Sequence, residues 1–164
     1  MTMRVTPRIL ALAALALGLA TILGAWGFEI FGGFVPCELC YQQRLPYYIG
    51  LPILALTQLF WPRLQGLPRL ALTLLVALIF AWGAYLGAFH AGVEWGFWPG
   101  PTSCTGVGGG IGFEDLGNMD ATRIVPCDRP QIRIFGLSFA GWNAVISVMM
   151  VGLLGWAAIK ARRG

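Results

Sequence analysis

The chain has 164 residues, of which 57% are hydrophobic and only 11% are charged. A soluble globular domain carries about 25% charged residues, so this composition argues against an ordinary soluble domain and favours a membrane protein. The net charge of +4 does not indicate nucleic-acid binding, because the basic residues form no continuous stripe or aromatic-interleaved patch.

Four stretches of the chain contain no Asp, Glu, Lys or Arg, namely residues 9–28, 45–62, 70–89 and 134–159. About 20 apolar residues in a helix cross the ~30 Å hydrocarbon layer of a bilayer. We therefore predict an all-α integral membrane protein in which residues 1–164 form one domain, a bundle of four transmembrane helices. The predicted spans are about 9–31, 45–62, 70–90 and 136–159.

Two outer loops, at about 32–44 and 91–135, connect these spans on one side. The apolar segment 90–101 could lie flat on the membrane surface, so a short interfacial helix is an option for the second loop. The first span follows a basic segment and is similar to a secretory signal in that respect. It runs without a charge to Phe28, beyond the 7–15 apolar residues typical of a signal, and we expect a retained helix.

Basic residues are concentrated on one side of the predicted bundle. Seven of them fall at the N-terminus, between spans two and three, and at the C-terminus, with no acidic residue among them. The other side holds all seven acidic residues and the remaining four arginines. An excess of Lys and Arg marks the cytoplasmic face. The charges therefore predict that both termini are cytoplasmic.

All four cysteines fall in the two outer loops, Cys37 and Cys40 in the first, Cys104 and Cys127 in the second. Disulfides persist outside the cytoplasm, and an even count in two outer loops indicates two pairs. Haem attachment is excluded because Tyr41, and not histidine, follows the C-x-x-C motif. A four-cysteine zinc site is weakly supported, since it would normally combine two C-x-x-C motifs, and we predict no metal.

Structural disulfides are the main alternative to redox chemistry. A bond between Cys104 and Cys127 would stabilise the second loop by about 3–4 kcal/mol in the chain-entropy model. A bond between Cys37 and Cys40 closes only a very small ring and constrains little of the unfolded chain. Pairs at this spacing are more often redox centres, and CELCYQQR is interpreted as one.

The residues around Cys40 suit a reactive thiolate. Cys40 precedes span two, where the positive end of the helix dipole favours an anion, and Arg44 lies four positions further on. We hypothesise a thiolate of lowered pKa at Cys40. Pro46 disfavours a regular helix through Gln42, so we expect the helix to begin near Leu45. Arg44 has a second interpretation as a snorkelling anchor at the end of a span.

Two further patterns bear on packing and cofactors. The small residues Gly83, Gly87 and Ala91, at four-residue spacing, predict a close approach between helices. The glycine-rich TSCTGVGGGIGFEDLG contains neither a dinucleotide-binding nor a P-loop pattern, so no soluble cofactor site is visible.

The chain resembles the disulfide bond formation protein B family, DsbB, over nearly its whole length. The resemblance rests on the four spans, on CELCYQQR, on HAGVEWGFWPGPTSC and on CDRPQIRIFGLSFAGWN leading into span four. It implies a quinone-dependent oxidase of the bacterial inner membrane that regenerates a soluble periplasmic thioredoxin-like disulfide donor, DsbA. The implied cofactor is ubiquinone or menaquinone, and the implied partners are the DsbA-like protein, the quinone and the lipid bilayer.

The resemblance also implies a role for each cysteine. Cys104 would take the attack of the reduced partner, and Cys127 would be its disulfide partner and then exchange with Cys37. Cys40 would be the thiolate next to the quinone, and Arg44 would help to bind that quinone.

His90 falls roughly where the family has a histidine near the quinone pocket, although an interfacial histidine that ends span three is an equal alternative. Two other functions stay open at this point. One is a non-catalytic membrane assembly protein whose disulfides brace its loops, and the other is a thiol relay that carries reductant outward.

Overall fold

Four long helices make up most of the computed structural model, which describes residues 6–101 and 126–163. In chain order they are α1 Pro7–Ile30, α2 Glu38–Leu59, α3 Leu67–Glu94 and α4 Phe139–Arg163. The predicted helical class is confirmed. Three of the helices, α1, α3 and α4, are long and apolar enough to cross a membrane. α2 has 22 residues, but its first two turns carry Glu38, Gln42, Gln43 and Arg44 and are therefore less apolar.

The start of α2 differs from the expectation. The helix begins at Glu38 and runs through Pro46, so a start near Leu45 is wrong and the second cysteine of the C-x-x-C motif is helical. Pro46 cannot donate a hydrogen bond to the carbonyl of Gln42. Packing offsets this loss, because Pro46 is fully buried against α3 at Gly83, where a Cβ would lie only 3.2 Å from the proline ring.

The helices pack in a ring in which α1 contacts α2, α2 contacts α3, α3 contacts α4, and α4 contacts α1. The C-terminal ends of α1 and α3 meet the N-terminal ends of α2 and α4, as shown by the contacts Glu29–Arg44, His90–Gln43 and Gln43–Asn143. These four helix ends, which are the ones nearest to the cysteines, therefore lie at one end of the bundle. The buried core between the helices is mainly aliphatic, with Leu54, Val76, Phe80 and Leu154 fully enclosed.

Beyond α3, the chain turns rather than continuing as a helix. α3 ends at Glu94, a turn follows, and residues 95–101 form no helix. The indole of Trp98 folds back over Gly92 and donates a hydrogen bond to the carbonyl of Phe89 at 2.9 Å. An interfacial helix is thus not formed in 95–101, and the remainder of the second loop, 102–125, lies outside the described residues.

A small antiparallel hairpin that the sequence analysis does not predict precedes α4. Strand β1, Arg133–Ile134, pairs with β2, Leu137–Ser138. The two turn residues, Phe135 and Gly136, both have positive φ, of 51° and 84°, as a tight hairpin turn requires. The hydroxyl of Ser138 accepts a hydrogen bond from the backbone N–H of Gly141 and so caps α4. The hairpin fixes the direction in which the chain enters α4.

α3 and α4 approach each other closely at Gly87, as the small-residue pattern predicts. A Cβ on Gly87 would lie 2.7 Å from the backbone nitrogen of Ala144 and 3.1 Å from the carbonyl oxygen of Ala140. Backbone atoms of a packed helix cannot move aside as a side chain can, so this contact excludes any larger residue.

We expect Gly87→Ala to destabilise the bundle by about 1–3 kcal/mol, because the added methyl group forces α3 and α4 apart. Thermal unfolding in detergent measures the loss. Gly24→Ala in α1 is the matched control, since nothing lies within 4 Å of the position of its Cβ. Equal melting temperatures for the two variants would contradict the close approach.

Candidate functional site

Cys37 is the N-cap residue of α2, and its sulfur lies where a capping oxygen would normally be. The sulfur accepts a hydrogen bond from the backbone N–H of Cys40 at 3.3 Å. The N-terminal N–H groups of a helix lack partners within the helix and carry partial positive charge, so this position favours an anion. The local sequence C-x-x-C, with Glu38 opening the helix, produces this geometry.

The dithiol arrangement favours the negative charge on Cys37 and not on Cys40. The pKa of Cys37 is lowered to about 5, mainly because the thiol of Cys40 donates a hydrogen bond to it, and further by His90, while burial opposes the shift. The pKa of Cys40 is raised, because it is the proton donor of the pair and is itself partly buried. The hypothesis of a lowered pKa at Cys40 therefore does not describe the dithiol, since the helix starts about two turns earlier than expected and Cys37 takes the cap.

Cys127 lies in the same buried cluster as Cys37. The cluster consists of Cys37, Leu39, Val93 and Cys127, with Cys40 and Phe89 packed against it. Cys127 is only 1% exposed and is disulfide-bonded, whereas Cys37 and Cys40 are both free thiols. Cys104 lies outside the described residues. The fold thus brings one cysteine of the second loop to the C-x-x-C motif of the first.

His90 lies in the interior, between these cysteines and the core of the bundle, and is only 3% exposed. Its Nε2 is 3.8 Å from the sulfur of Cys37, 3.2 Å from the carbonyl oxygen of Cys127 and 3.8 Å from a carboxylate oxygen of Glu94. This burial argues against a histidine that merely ends span three at the membrane interface. The ring contacts both cysteine loops at once.

Three polar residues that the sequence analysis missed support His90 from the other side. The amide nitrogen of Gln43 is 2.6 Å from Nδ1 of His90, Asn143 donates to the amide oxygen of Gln43 at 2.8 Å, and Tyr47 donates to Asn143 at 2.8 Å. A polar residue inside a predicted span is by default a functional candidate, and Asn143 within 134–159 carried that signal. The chain of hydrogen bonds that they form to His90 comes only from the packing of α2, α3 and α4.

Arg44 forms an ion pair with Glu29 at the end of α1, with a nitrogen–oxygen distance of 2.5 Å. Its guanidinium also lies over the ring of Tyr41, 5.4 Å from the centroid, and its side chain is only 12% exposed. A snorkelling anchor would extend into water or lipid headgroups. Arg44 is instead held at the edge of the site, where it neutralises the negative charge of Glu29.

A cavity of about 410 Å³ lies between α1, α2 and α4. Its walls are largely apolar, and three aromatic rings, Phe28, Phe34 and Phe139, pack together on one side of it. Its polar edge holds four of the site residues, listed here in chain order: Cys40, Gln43, Arg44 and His90. Pockets for organic ligands have about this volume and this pattern of apolar walls with a few convergent polar groups.

Comparison with known proteins agrees with these features. The family model described as "Disulfide bond formation protein DsbB" matches residues 7–157. The chain belongs to the DsbB family. It is also 24% identical over 152 residues to the uncharacterized protein RP370 of Rickettsia prowazekii (strain Madrid E), covering 90% of this chain and 86% of that protein. No solved structure gives a significant match.

Membership of the DsbB family supports a role in disulfide formation and a membrane location. The resemblance that the sequence motifs indicate is therefore confirmed at the level of the family. Of the site residues predicted from sequence, Cys37, Cys40, Arg44 and His90 all line the same cavity. Cys127 lies behind Cys37 in the buried cluster.

The three atoms Sγ of Cys37, Sγ of Cys40 and Nε2 of His90 lie within 4.8 Å of one another and could hold a metal ion. This donor set differs from the four-cysteine site considered from the sequence, since histidine takes the place of the second-loop cysteines. Zinc accepts such ligands, but it would require both thiols to be deprotonated. It would also have to displace the carbonyl of Cys127 from Nε2 of His90. The geometry suits thiol exchange better than metal binding.

In the reduced protein, we expect the alkylation rate of Cys37 to follow a thiolate titration with a midpoint of about 5. The thiolate predominates above that pH and is lost as the pH falls through it. Cys40→Ala removes the thiol that donates to Cys37, and we expect the midpoint to rise by more than about one pH unit. Iodoacetamide labelling across pH, read by mass spectrometry at Cys37, measures both values. Cys40→Ser retains a donor and should shift less, and an unchanged midpoint in Cys40→Ala would refute the assignment.

Proposed function

We propose that this DsbB-family protein is a protein dithiol:quinone oxidoreductase that regenerates the disulfide of a DsbA-like periplasmic protein. The observation that carries the proposal is the buried contact between Cys37 and Cys127, with Cys40 on the wall of an apolar cavity. Thiol–disulfide exchange only moves a disulfide from one pair to another, so net oxidation of thiols needs an electron acceptor. The chain offers a lipid-like cavity beside Cys40 for that acceptor and no soluble-cofactor motif.

Electrons would enter through the second loop. A thiolate of the reduced partner attacks Cys104 of a Cys104–Cys127 disulfide, forms a mixed disulfide with it and expels Cys127 as a thiolate. Cys127 then attacks Cys37 in a Cys37–Cys40 disulfide and expels Cys40 as a thiolate. The second thiol of the partner releases the partner as a disulfide and frees Cys104. The freed Cys104 then attacks Cys127 in the Cys37–Cys127 disulfide, re-forms the Cys104–Cys127 disulfide and expels Cys37 as a thiolate. Two electrons and two protons then reside on Cys37 and Cys40.

The position of Cys37 supports the exchange step. Cys127 and Cys37 belong to the same buried cluster, and the cap on α2 stabilises negative charge on the sulfur of Cys37 when the exchange is reversed. Thiol–disulfide exchange is faster when the attacked sulfur is accessible to the attacking thiolate and when the expelled thiol has a low pKa. With Cys37 bonded to Cys127, the cap no longer holds a negative charge, and Cys40 is the thiolate.

The cavity residues fit a membrane quinone, either ubiquinone or menaquinone. The aromatic wall of Phe28, Phe34 and Phe139 would hold the flat apolar ring, and Arg44 would donate to an oxygen of the ring. Cys40 would face the ring, and His90 with Gln43 would close its polar edge. When bound, a quinone supplies the capacity to accept two electrons and two protons, which matches what the Cys37–Cys40 dithiol releases.

We further propose that all four helices span the bacterial inner membrane with both termini in the cytoplasm. Arg8, Arg69 and Lys160 belong to the helix ends opposite to the cysteines, and Arg63 lies between α2 and α3 at that same end. An excess of basic residues at that end fits the cytoplasmic side. The site then faces the periplasm, where a DsbA-like partner is found.

The direct test measures oxidation of a reduced thioredoxin-fold protein by the purified chain, with and without added ubiquinone or menaquinone. We expect catalytic turnover only with quinone and none for Cys40→Ser, which should still fold. If added quinone does not change the oxidation of the thioredoxin-fold protein, and Cys40→Ser is as stable as the unmodified chain, an assembly protein with bracing disulfides would instead be favoured. Reduction of a periplasmic disulfide at the expense of quinol would favour the outward relay.

For Arg44→Lys we expect the apparent KM for quinone to rise about tenfold with little change in kcat, because lysine retains the charge but loses the planar fork of donors. Steady-state kinetics with varied quinone measures this. Arg63→Lys is the matched control, since Arg63 lies over the ring of Phe60 at the opposite end of the bundle. A KM that does not move would reduce Arg44 to a partner of Glu29.

A further inference from the structure

The hydrogen-bonded chain behind His90 is not used by any step of the proposed cycle. It runs from Tyr47 to Asn143, from Asn143 to Gln43, and from Gln43 to His90, with distances of 2.8, 2.8 and 2.6 Å. Gln43 and His90 are 6% and 3% exposed. Buried polar groups of this kind destabilise a bundle unless every donor meets an acceptor, so the positions of their protons are restricted.

Two backbone carbonyls determine those protons, because a carbonyl oxygen can only accept. The carbonyl of Cys127 is 3.2 Å from Nε2 of His90, so a neutral ring carries its proton on Nε2 and leaves Nδ1 bare. The carbonyl of Leu39 is 3.4 Å from the nearer amide atom of Gln43, so that atom is the NH₂ group. The same NH₂ group faces Nδ1 of His90 and supplies the donor that the bare nitrogen needs.

The other two members complete the same arrangement. With its nitrogen towards His90, Gln43 presents its oxygen to the NH₂ group of Asn143, and the oxygen of Asn143 accepts from the hydroxyl of Tyr47. Every bond in the chain then donates towards the cysteines. A proton on Nδ1 would oppose the NH₂ group of Gln43, and turning that amide would set its oxygen against the carbonyl of Leu39 and reverse both remaining bonds.

We propose that Gln43 is a positioning residue that holds His90 as the neutral imidazole protonated on Nε2. The role of His90 in thiol exchange rests on the proposed function, whereas the protonation state of its ring rests on the geometry. Among residues 6–101 and 126–163, Nε2–H faces three groups, all of them acceptors: the carbonyl of Cys127, the sulfur of Cys37 and a carboxylate oxygen of Glu94. The ring therefore offers one N–H at the point where Cys127 and Cys37 exchange.

The titratable groups that face the ring come from two elements. Glu94 lies on the same helix, one turn further on, and Cys37 lies at the start of α2 with Cys40 beside it. α4 contributes Asn143, which does not titrate. A negative charge on Cys37 or Glu94 would attract a second proton to the ring, and the NH₂ group of Gln43 opposes it.

The chain contains a single histidine, so ¹⁵N-histidine labelling gives only the two ring nitrogens of His90. The protein should be purified through an affinity tag without histidine, reconstituted in lipid nanodiscs and reduced. We expect one protonated nitrogen, Nε2, and one bare nitrogen, Nδ1. A ring protonated on Nδ1, or doubly protonated at pH 7, would overturn the proposal.

Gln43 variants test which residue sets this state. Gln43→Leu removes the donor, and we expect a mixture of both neutral forms. Asn143→Leu frees the amide of Gln43 and should do the same if Gln43→Leu fails to fold. Gln43→Glu places a carboxylate against Nδ1, and we expect a doubly protonated ring and a Cys37 alkylation midpoint lower by about one pH unit.

Two matched controls lie on the same helix. Gln58 is a buried glutamine whose amide makes no hydrogen bond within the described residues, so Gln58→Leu should leave the ring signals unchanged. Gln42→Glu adds the same charge at a half-buried neighbouring position and should also leave them unchanged. Ring signals that respond equally to Gln43→Leu and Gln58→Leu would overturn the role of Gln43.

Turnover separates this inference from the proposed function. We expect Gln43→Leu to slow dithiol oxidation about tenfold, the effect of one lost hydrogen bond at a charged sulfur, with Gln58→Leu unaffected. Slower turnover with the ring still protonated only on Nε2 would overturn the positioning role. The expected ring signals in a protein that does not oxidise dithiols with quinone would support the protonation state and refute the proposed function instead.

Discussion

The sulfur of Cys37 at the N-cap of α2 is the contact on which the rest of the site depends. Helix N-termini carry N–H groups that need an acceptor, and most caps provide an oxygen from Ser, Thr, Asp or Asn. Here a thiol takes that place, so the redox pair and the start of the helix are one structure. One turn of helix then sets Cys40 beside Cys37 and directs Gln43 and Arg44 towards the same end of the bundle.

The hydrogen-bonded polar side chains of the site gather at that end of the bundle. Elsewhere α1, α3 and α4 are aliphatic and expose many large apolar side chains, as helices in contact with lipid do. Within an apolar environment, an unpaired polar group costs several kcal/mol, so the polar residues of the site are held in shared contacts. Arg44 covers Glu29, and Gln43 connects His90 to Asn143. The same contacts that satisfy these groups also orient them around the cysteines.

Family membership and geometry support different parts of the functional argument. The DsbB match covers most of the chain and supports a role in disulfide formation. The relation between the two cysteine loops comes from packing: residue 127 lies against residue 37, and both contact His90. An assembly protein with bracing disulfides would need neither a buried thiol pair nor a cavity beside it.

The sequence by itself determined the helical membrane class, the separation of the cysteines into two loops and the small-residue approach at Gly87, because these follow from composition, spacing and side-chain size. It also pointed to Cys37, Cys40, Arg44 and His90. Only the tertiary structure decided that α2 starts at Glu38, which moves the cap and the favoured negative charge to Cys37, since the burial of Pro46 against α3 outweighs its missing hydrogen bond. The hydrogen-bonded chain from Tyr47 through Asn143 and Gln43 to His90 likewise required the fold. Its bonds join three helices and include residue pairs that are 47 and 100 positions apart in the chain.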